Sequence, residues 1–197
     1  MKKVLLSAVA ILGFTFANAQ EEETTTNGGF AQGDVFVTGA VTFSSSSMDE
    51  DKSSSFEIAP QVGFFLTENI AIGGKIAYMS EKAESFSVDT EDMSGFGVGA
   101  FGRYYFTPAN QFSLFGQLAV DYASMEDKLA DYKVNAFGAG LGFGMNYFVS
   151  SNFSIEAGVG VLGFDSSKAD VDGAEANNTF SFGGDWRAVT FGVNYKF

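Results

Sequence analysis

The stretch that decides the fold covers residues 136–147 and reads AFGAGLGFGMNY. From Phe137 to Tyr147 every second position is apolar, and all of these except Ala139 are large. The positions between them hold only Ala, Gly or Asn. Successive side chains of a β-strand point to opposite faces, so this alternation predicts a strand with one bulky apolar face and one nearly bare face.

The same period of two recurs eight times, over residues 35–43, 56–66, 70–78, 96–106, 112–122, 137–147, 153–161 and 189–197. These segments approach or reach the ~9–11 tilted residues that cross a bilayer. Short connections at 67–69, 107–110 and 149–152 alternate with longer polar ones near 45–55, 80–93, 123–133 and 164–180. Short turns at one rim and long loops at the other predict an all-β fold, a closed up-and-down antiparallel transmembrane barrel of about eight strands.

The second face indicates which side of the barrel meets lipid. On the fourth strand it carries Gly95, Gly97, Gly99, Phe101, Arg103 and Tyr105. A soluble ligand-holding barrel would instead show many charged side chains on its outer face. A glycine-rich face suits a narrow interior, so the apolar face is predicted to contact lipid. Aromatic residues near the short turns form a predicted interfacial girdle: Phe64, Tyr104, Phe106, Phe112, Tyr147, Phe153 and Tyr195.

The N-terminal region divides into two predicted segments. Two lysines precede a short apolar run, and a small-x-small cleavage site ends at Ala19. This pattern indicates a secretory signal peptide over residues 1–19. Residues 20–32 are polar and glycine-rich and predict a flexible lead-in. The barrel domain is therefore expected to span residues 33–197.

The last eight residues, TFGVNYKF, resemble the C-terminal assembly signal of outer-membrane barrels, carried here by Phe191, Val193, Tyr195 and Phe197. Residues 62–74 look like a hairpin of the small outer-membrane β-barrel family, which takes in OmpX-like and OmpW-like proteins, porin-family barrels and the membrane domain of OmpA. The resemblance covers roughly residues 33–197. It implies a Gram-negative outer membrane, insertion by the barrel-assembly machinery, and contact with lipid and lipopolysaccharide. A peptidoglycan-binding domain like that of OmpA is not expected.

The composition excludes several functions. The net charge is -13, which argues against a nucleic-acid partner. The chain has no His and no Cys, so it lacks the commonest general base and the usual metal ligands. Barrel enzymes of the outer membrane rely on an active-site His, so no enzyme activity, metal or cofactor is expected. The G-x-G-x-x-G pattern at 97–102 lies inside a predicted strand, where it lacks the helix that nucleotide binding needs.

Polar side chains on the glycine-rich face form a predicted lumen network: Glu57, Gln61, Lys75, Arg103, Gln117, Asp121 and Glu156. Charges there are costly unless they are paired. Arg103 and Lys75 are therefore expected to pair with Glu156 and with either Glu57 or Asp121. The favoured interpretation is a structural plug of the lumen. The alternative is a polar constriction that passes small solutes.

The predicted loops carry most of the acidic residues, which favours a solvated, repulsive surface. A divalent-cation bridge to lipopolysaccharide is the functional alternative. The leading hypothesis is a structural, porin-like outer-membrane barrel, with a monomer favoured. Two others stay open: a narrow channel for small or hydrophobic solutes, and a surface adhesion or host-interaction protein that acts through its loops.

Overall fold

The structure is a computed structural model that describes residues 28–184 and 189–197, so the predicted signal peptide lies outside the described residues. The described residues form nine strands: β1 (Val35–Met48), β2 (Asp51–Phe65), β3 (Ile70–Ser85), β4 (Val88–Tyr105), β5 (Phe112–Asp127), β6 (Tyr132–Phe148), β7 (Phe153–Ala169), β8 (Asn177–Phe182) and β9 (Thr190–Lys196). Within this part of the chain, no helix is both long enough and apolar enough to cross a membrane.

Strands β1 to β7 pair in chain order, each antiparallel to the next. Strand β7 then pairs with two segments in turn, with β9 along residues 153–158 and with β8 along residues 162–167. The segments β8 and β9 therefore share the eighth position of the wall. Strand β9 also pairs with β1, through contacts such as Thr38 with Asn194, which closes the sheet. The predicted closed, eight-stranded, up-and-down barrel is confirmed.

The outer wall is formed by the large apolar side chains of the alternating pattern. Representative outward residues are strongly exposed on four different strands, at Phe43, Ile76, Phe96 and Leu118. In water such a continuous apolar exterior would drive aggregation. Facing hydrocarbon it is favourable, and β1 to β7 and β9 each pair with a strand on both sides.

The strands extend further than the sequence predicted, and the four predicted long loops are largely wrong. The predicted loop 80–93 shrinks to a two-residue turn at 86–87, and the predicted loop 164–180 contains part of β8. The predicted loops 45–55 and 123–133 likewise reduce to short tips at 49–50 and 128–131. Beyond the lipid both faces of a strand meet water, so the backbone ladder continues where the apolar alternation stops.

The buried core lies inside the barrel, close to the short turns. We call this end of the barrel the turn side and the opposite end the loop side. The core consists of Phe30, Phe36, Phe65, Ala71, Phe101, Tyr105, Phe115 and Phe148. Most of these residues lie near the strand ends that meet the short turns. Phe30 precedes β1, and residues 28–30 are buried. In its described part, the predicted flexible lead-in is therefore packed against the barrel.

Candidate functional site in the barrel lumen

An aromatic layer closes the lumen at the turn side. Its members are Phe30, Phe36, Phe65, Phe101, Tyr105, Phe115 and Phe148. The ring of Phe30 lies at its centre, with centroids 4.7 Å from Phe65, 4.9 Å from Phe148 and 5.3 Å from Tyr105. Tyr105 continues the layer to Phe115, at 5.1 Å. Phe30 stacks on Phe65, and the other three pairs are tilted or edge-on, which are favourable geometries for aromatic pairs at these distances.

Glycines on neighbouring strands make room for these rings. A Cβ on Gly63 would overlap the ring of Phe36, and a Cβ on Gly144 would overlap the ring of Phe115. In each case the glycine faces the lumen next to the strand that carries the ring. The bare face of the sequence pattern thus provides the space that the aromatic layer fills.

An ion pair crosses the lumen beside this layer. Arg103 on β4 and Glu156 on β7 form two parallel hydrogen bonds, Nη1 to Oε2 at 2.7 Å and Nη2 to Oε1 at 2.9 Å. The Nε of Arg103 donates to Gln117 at 2.6 Å, and Asn146 donates to Glu156 at 3.1 Å. We call Arg103, Glu156 and Gln117 the clasp. Two parallel bonds to a carboxylate are the strongest arrangement available to an arginine side chain.

The clasp rests on the aromatic layer. The guanidinium carbon of Arg103 lies 4.4 Å from the ring centroid of Phe115 and 4.9 Å from that of Phe101. Nη1 also donates to the hydroxyl of Tyr105 at 3.1 Å. Arg103 is only 3% exposed. Because cation–π contacts gain strength when the cation is desolvated, the rings and the clasp stabilise each other.

A second ion pair lies further toward the loop side. Lys75 Nζ on β3 is 2.9 Å from Asp121 Oδ1 on β5, and both side chains are about one-third exposed. A cavity of about 250 Å³ borders the clasp, and its polar lining includes Thr190 and Gln61, the residue of β2 that pairs with Lys75. The lumen thus holds an ion pair on the loop side of the clasp. On the turn side it holds packed rings together with four fully buried polar residues, Ser113, Asn146, Ser154 and Asn194.

The structure brings six of the seven predicted lumen residues into this arrangement. Arg103 and Lys75 contact Glu156 and Asp121, which are pairings expected from the sequence, whereas Glu57 belongs to neither pair. Sequence reasoning missed the aromatic layer. A signal was present, since Phe36, Phe65 and Phe148 occupy the bare face next to the short turns. Phe30, alone in a polar segment, carried no periodic signal.

These features define a class of protein: a small transmembrane barrel with an apolar exterior and a filled interior. The family described as outer membrane protein beta-barrel domain matches residues 6–197, and the chain belongs to this family. It is an integral outer-membrane protein.

Two solved structures are similar to this chain. The outer membrane protein OprG from Pseudomonas aeruginosa is 15% identical, with 88% of this chain and 99% of that chain covered at a TM-score of 0.58. Neisserial surface protein A is 17% identical, with 84% and 100% covered at a TM-score of 0.47. No curated protein sequence matches this chain.

Proposed function

We propose that this protein is a closed structural barrel that does not conduct solutes in its resting state. The observation that carries the proposal is the direct hydrogen bonding of Arg103 to Glu156 across the lumen, beside the aromatic layer. A solute would have to separate a buried, doubly hydrogen-bonded charge pair and then pass packed rings. Separating such a pair is costly because each charge would lose its counter-charge while it stays buried.

Thiol labelling tests this closure and locates it. The chain has no cysteine, so a single introduced cysteine reports on one position. Gln61→Cys lies in the cavity on the loop side of the clasp, and Ser113→Cys lies in the fully buried turn-side interior. A water-soluble maleimide should label the first in the folded barrel and leave the second unmodified. Rapid labelling of Ser113→Cys, or none of Gln61→Cys, would contradict the proposed position of the closure.

We also propose that the barrel is not an enzyme. The support is chemical: both oxygens of Glu156 accept hydrogen bonds from Arg103, so this carboxylate acts as a fixed counter-charge. A general base needs a free lone pair directed at a substrate proton. Incubating the refolded protein with outer-membrane lipids and peptides should yield no hydrolysis or acyl transfer, and turnover that Glu156→Gln abolishes would refute the proposal.

For partners, we propose outer-membrane lipid, lipopolysaccharide and, during biogenesis, the barrel-assembly machinery. The support is the exposed alternating face of β9, where Phe191, Val193 and Phe197 point outward. Outer-membrane barrels with such a face insert through that machinery. Phe197→Ala should reduce the amount of assembled, heat-modifiable barrel in cells, and unchanged assembly would count against the signal. Phe182→Ala, at another exposed phenylalanine, on β8, is the control.

A second candidate function, surface contact through the loops, is favoured by one observation. Phe86 forms the tip of the β3–β4 hairpin with φ 51°, and it is 76% exposed. A bulky residue with positive φ is rare, and exposed aromatic side chains often anchor partners. If the loops mediate adhesion, Phe86→Ser should reduce binding to host cells or other surfaces while the barrel stays folded. Unchanged binding would remove the support for this function.

A further inference from the structure

Residues 28–32 cross the turn-side mouth of the barrel without joining the sheet. The amide of Phe30 donates to the carbonyl of Pro108 at 2.7 Å, in the turn between β4 and β5. Gln32 donates through its side chain to the carbonyl of Leu66 at 3.1 Å, in the turn between β2 and β3. The segment therefore bridges two short turns while the ring of Phe30 enters the lumen between them.

A third contact ties the segment to the last strand. Lys196 Nζ donates to the carbonyl of Gly29 at 2.6 Å and lies 3.6 Å from Asp34 Oδ2. The same oxygen of Asp34 accepts from the amide of Ala31 at 2.9 Å. Lys196 thus holds the segment from the last strand, at the same turn-side rim. These contacts approach the mouth from three sides.

The sequence of this segment matches its position closely. A Cβ on Gly28 would overlap the side chain of Phe148, and a Cβ on Gly29 would overlap the backbone of Ala109. Two residues without side chains therefore pass between the rim and the lumen. Phe30 follows these two glycines and is the largest apolar residue of the segment. Its ring fills the pocket made by Phe36, Phe65, Tyr105 and Phe148.

We propose that residues 28–32 form a displaceable plug of the turn-side mouth, an inference that rests on the closed lumen proposed above. The plug is held by one ring and a few hydrogen bonds, and its release breaks none of the hydrogen bonds between the strands of the barrel. Segments attached in this way open locally at far lower free energy than the structure they cover. Release exposes an aromatic pocket at the turn-side end, which suits an apolar or aromatic group, and leaves the clasp in place as a second closure.

Hydrogen exchange on the unaltered protein tests whether the plug moves. In the refolded barrel the amide of Phe30 should exchange about a hundredfold faster than ladder amides such as that of Phe101, because local release suffices to expose it. Equal protection of the two amides would show that the segment is a fixed part of the wall, and would overturn the proposal. That result would leave the closed lumen untouched, since closure is measured separately by labelling of Gln61→Cys and Ser113→Cys.

A reporter under the plug tests what it covers. Ala71 is fully buried in the same cluster as Phe30, so Ala71→Cys should react slowly with a water-soluble maleimide. Adding Phe30→Ala should raise the labelling rate by roughly tenfold or more. The matched control is Phe106→Ala, an outward aromatic at the same rim, which should leave the rate unchanged. Equal rates with and without Phe30 would overturn the proposal.

A peptide supplied in trans separates loss of the plug from general loosening of the barrel. The synthetic peptide TNGGFAQG, residues 26–33 of the chain, should slow labelling of the Phe30→Ala, Ala71→Cys protein. The same peptide with Ala in place of Phe should not. If the two peptides act alike, the increased labelling reflects a disturbed barrel and the assignment of Phe30 as the plug fails.

Discussion

The turn-side and loop-side halves of the barrel share one continuous backbone ladder, yet their interiors are filled differently. The turn side contains packed rings and a buried, doubly hydrogen-bonded ion pair. The loop side projects as paired strands whose ion pairs, such as Lys52 with Glu84 at 3.5 Å, are largely exposed. The ladder alone is therefore enough to keep a strand pair extended, whereas closing the lumen requires side-chain packing.

The largest contrast is expected between the two kinds of ion pair. Arg103→Ala leaves Glu156 buried without its counter-charge, which should lower the free energy of unfolding by about 3–5 kcal/mol. Lys52→Ala removes an exposed partner of Glu84, and the loss should be about 0–1 kcal/mol. Urea unfolding of the barrel refolded in lipid vesicles measures both values. Similar losses at the two sites would refute the distinction between the halves.

Aromatic residues should differ nearly as strongly. Phe65 is fully buried in the aromatic layer, and Phe65→Ala should cost about 3–5 kcal/mol because it leaves a cavity among rings. Phe86 lies at an exposed hairpin tip, and Phe86→Ala should change the free energy of unfolding by less than about 0.5 kcal/mol. The same unfolding series provides the comparison. A small effect at Phe65 would mean that the layer is loosely packed.

Adding a single methyl group sharpens the comparison. In Gly63→Ala the new Cβ would overlap the ring of Phe36, so a loss of about 1–3 kcal/mol is expected. Gly160 faces open space, and Gly160→Ala should have little effect. Restoration of stability when Gly63→Ala is combined with Phe36→Leu would identify the ring as the cause. An equal loss in both alanine variants would point to strand flexibility instead.

The smallest effect is expected at Asp92, on the loop-side part of β4 beyond the lipid. A hydrogen bond from Lys82, with a further contribution from Lys128, holds the pKa of Asp92 below its ordinary value, despite the opposing effect of desolvation. A carboxyl whose pKa is lower in the folded state than in the unfolded state stabilises the fold. Its full contribution is present at pH values above the unfolded-state pKa and is lost as the pH falls through the folded-state pKa. The free energy of unfolding of the wild type should therefore be slightly higher than that of Asp92→Asn at pH 7, and the two should be equal in strong acid. An advantage that grows in acid would contradict this assignment.

Much of the fold was predictable because lipid imposes a simple rule on the sequence. Wherever a strand crosses the membrane, one face is apolar and the other is small or polar, so the crossings could be counted from the alternation alone. The pairing of Arg103 with Glu156 was foreseeable for a related reason, since isolated charges in a narrow lumen are too costly. Where water meets both faces, as over residues 45–55, no alternation marks the strand.

The plug was not predictable, and the aromatic layer only in part, because their packing depends on contacts between distant segments. Phe64 and Phe65 are adjacent in the sequence. The register of β2 alone determines that the ring of Phe65 points into the lumen and that of Phe64 points outward. Phe30 is a single aromatic residue in a polar stretch, and its role depends on the positions of Pro108 and Phe148 across the mouth. Such contacts leave no periodic pattern. The division of the eighth strand into β8 and β9 likewise follows from how each segment pairs with β7.

Single-channel current of the refolded barrel in a planar bilayer tests the central claim, closure by plug and clasp in series, most directly. The wild type, Phe30→Ala and the pair Arg103→Ala with Glu156→Ala should each be silent, because one closure always persists. The three substitutions together should produce discrete, reproducible steps, with heat-dependent gel mobility confirming that the barrel has formed. Discrete steps from the wild type, or silence from the folded triple variant, would contradict the account.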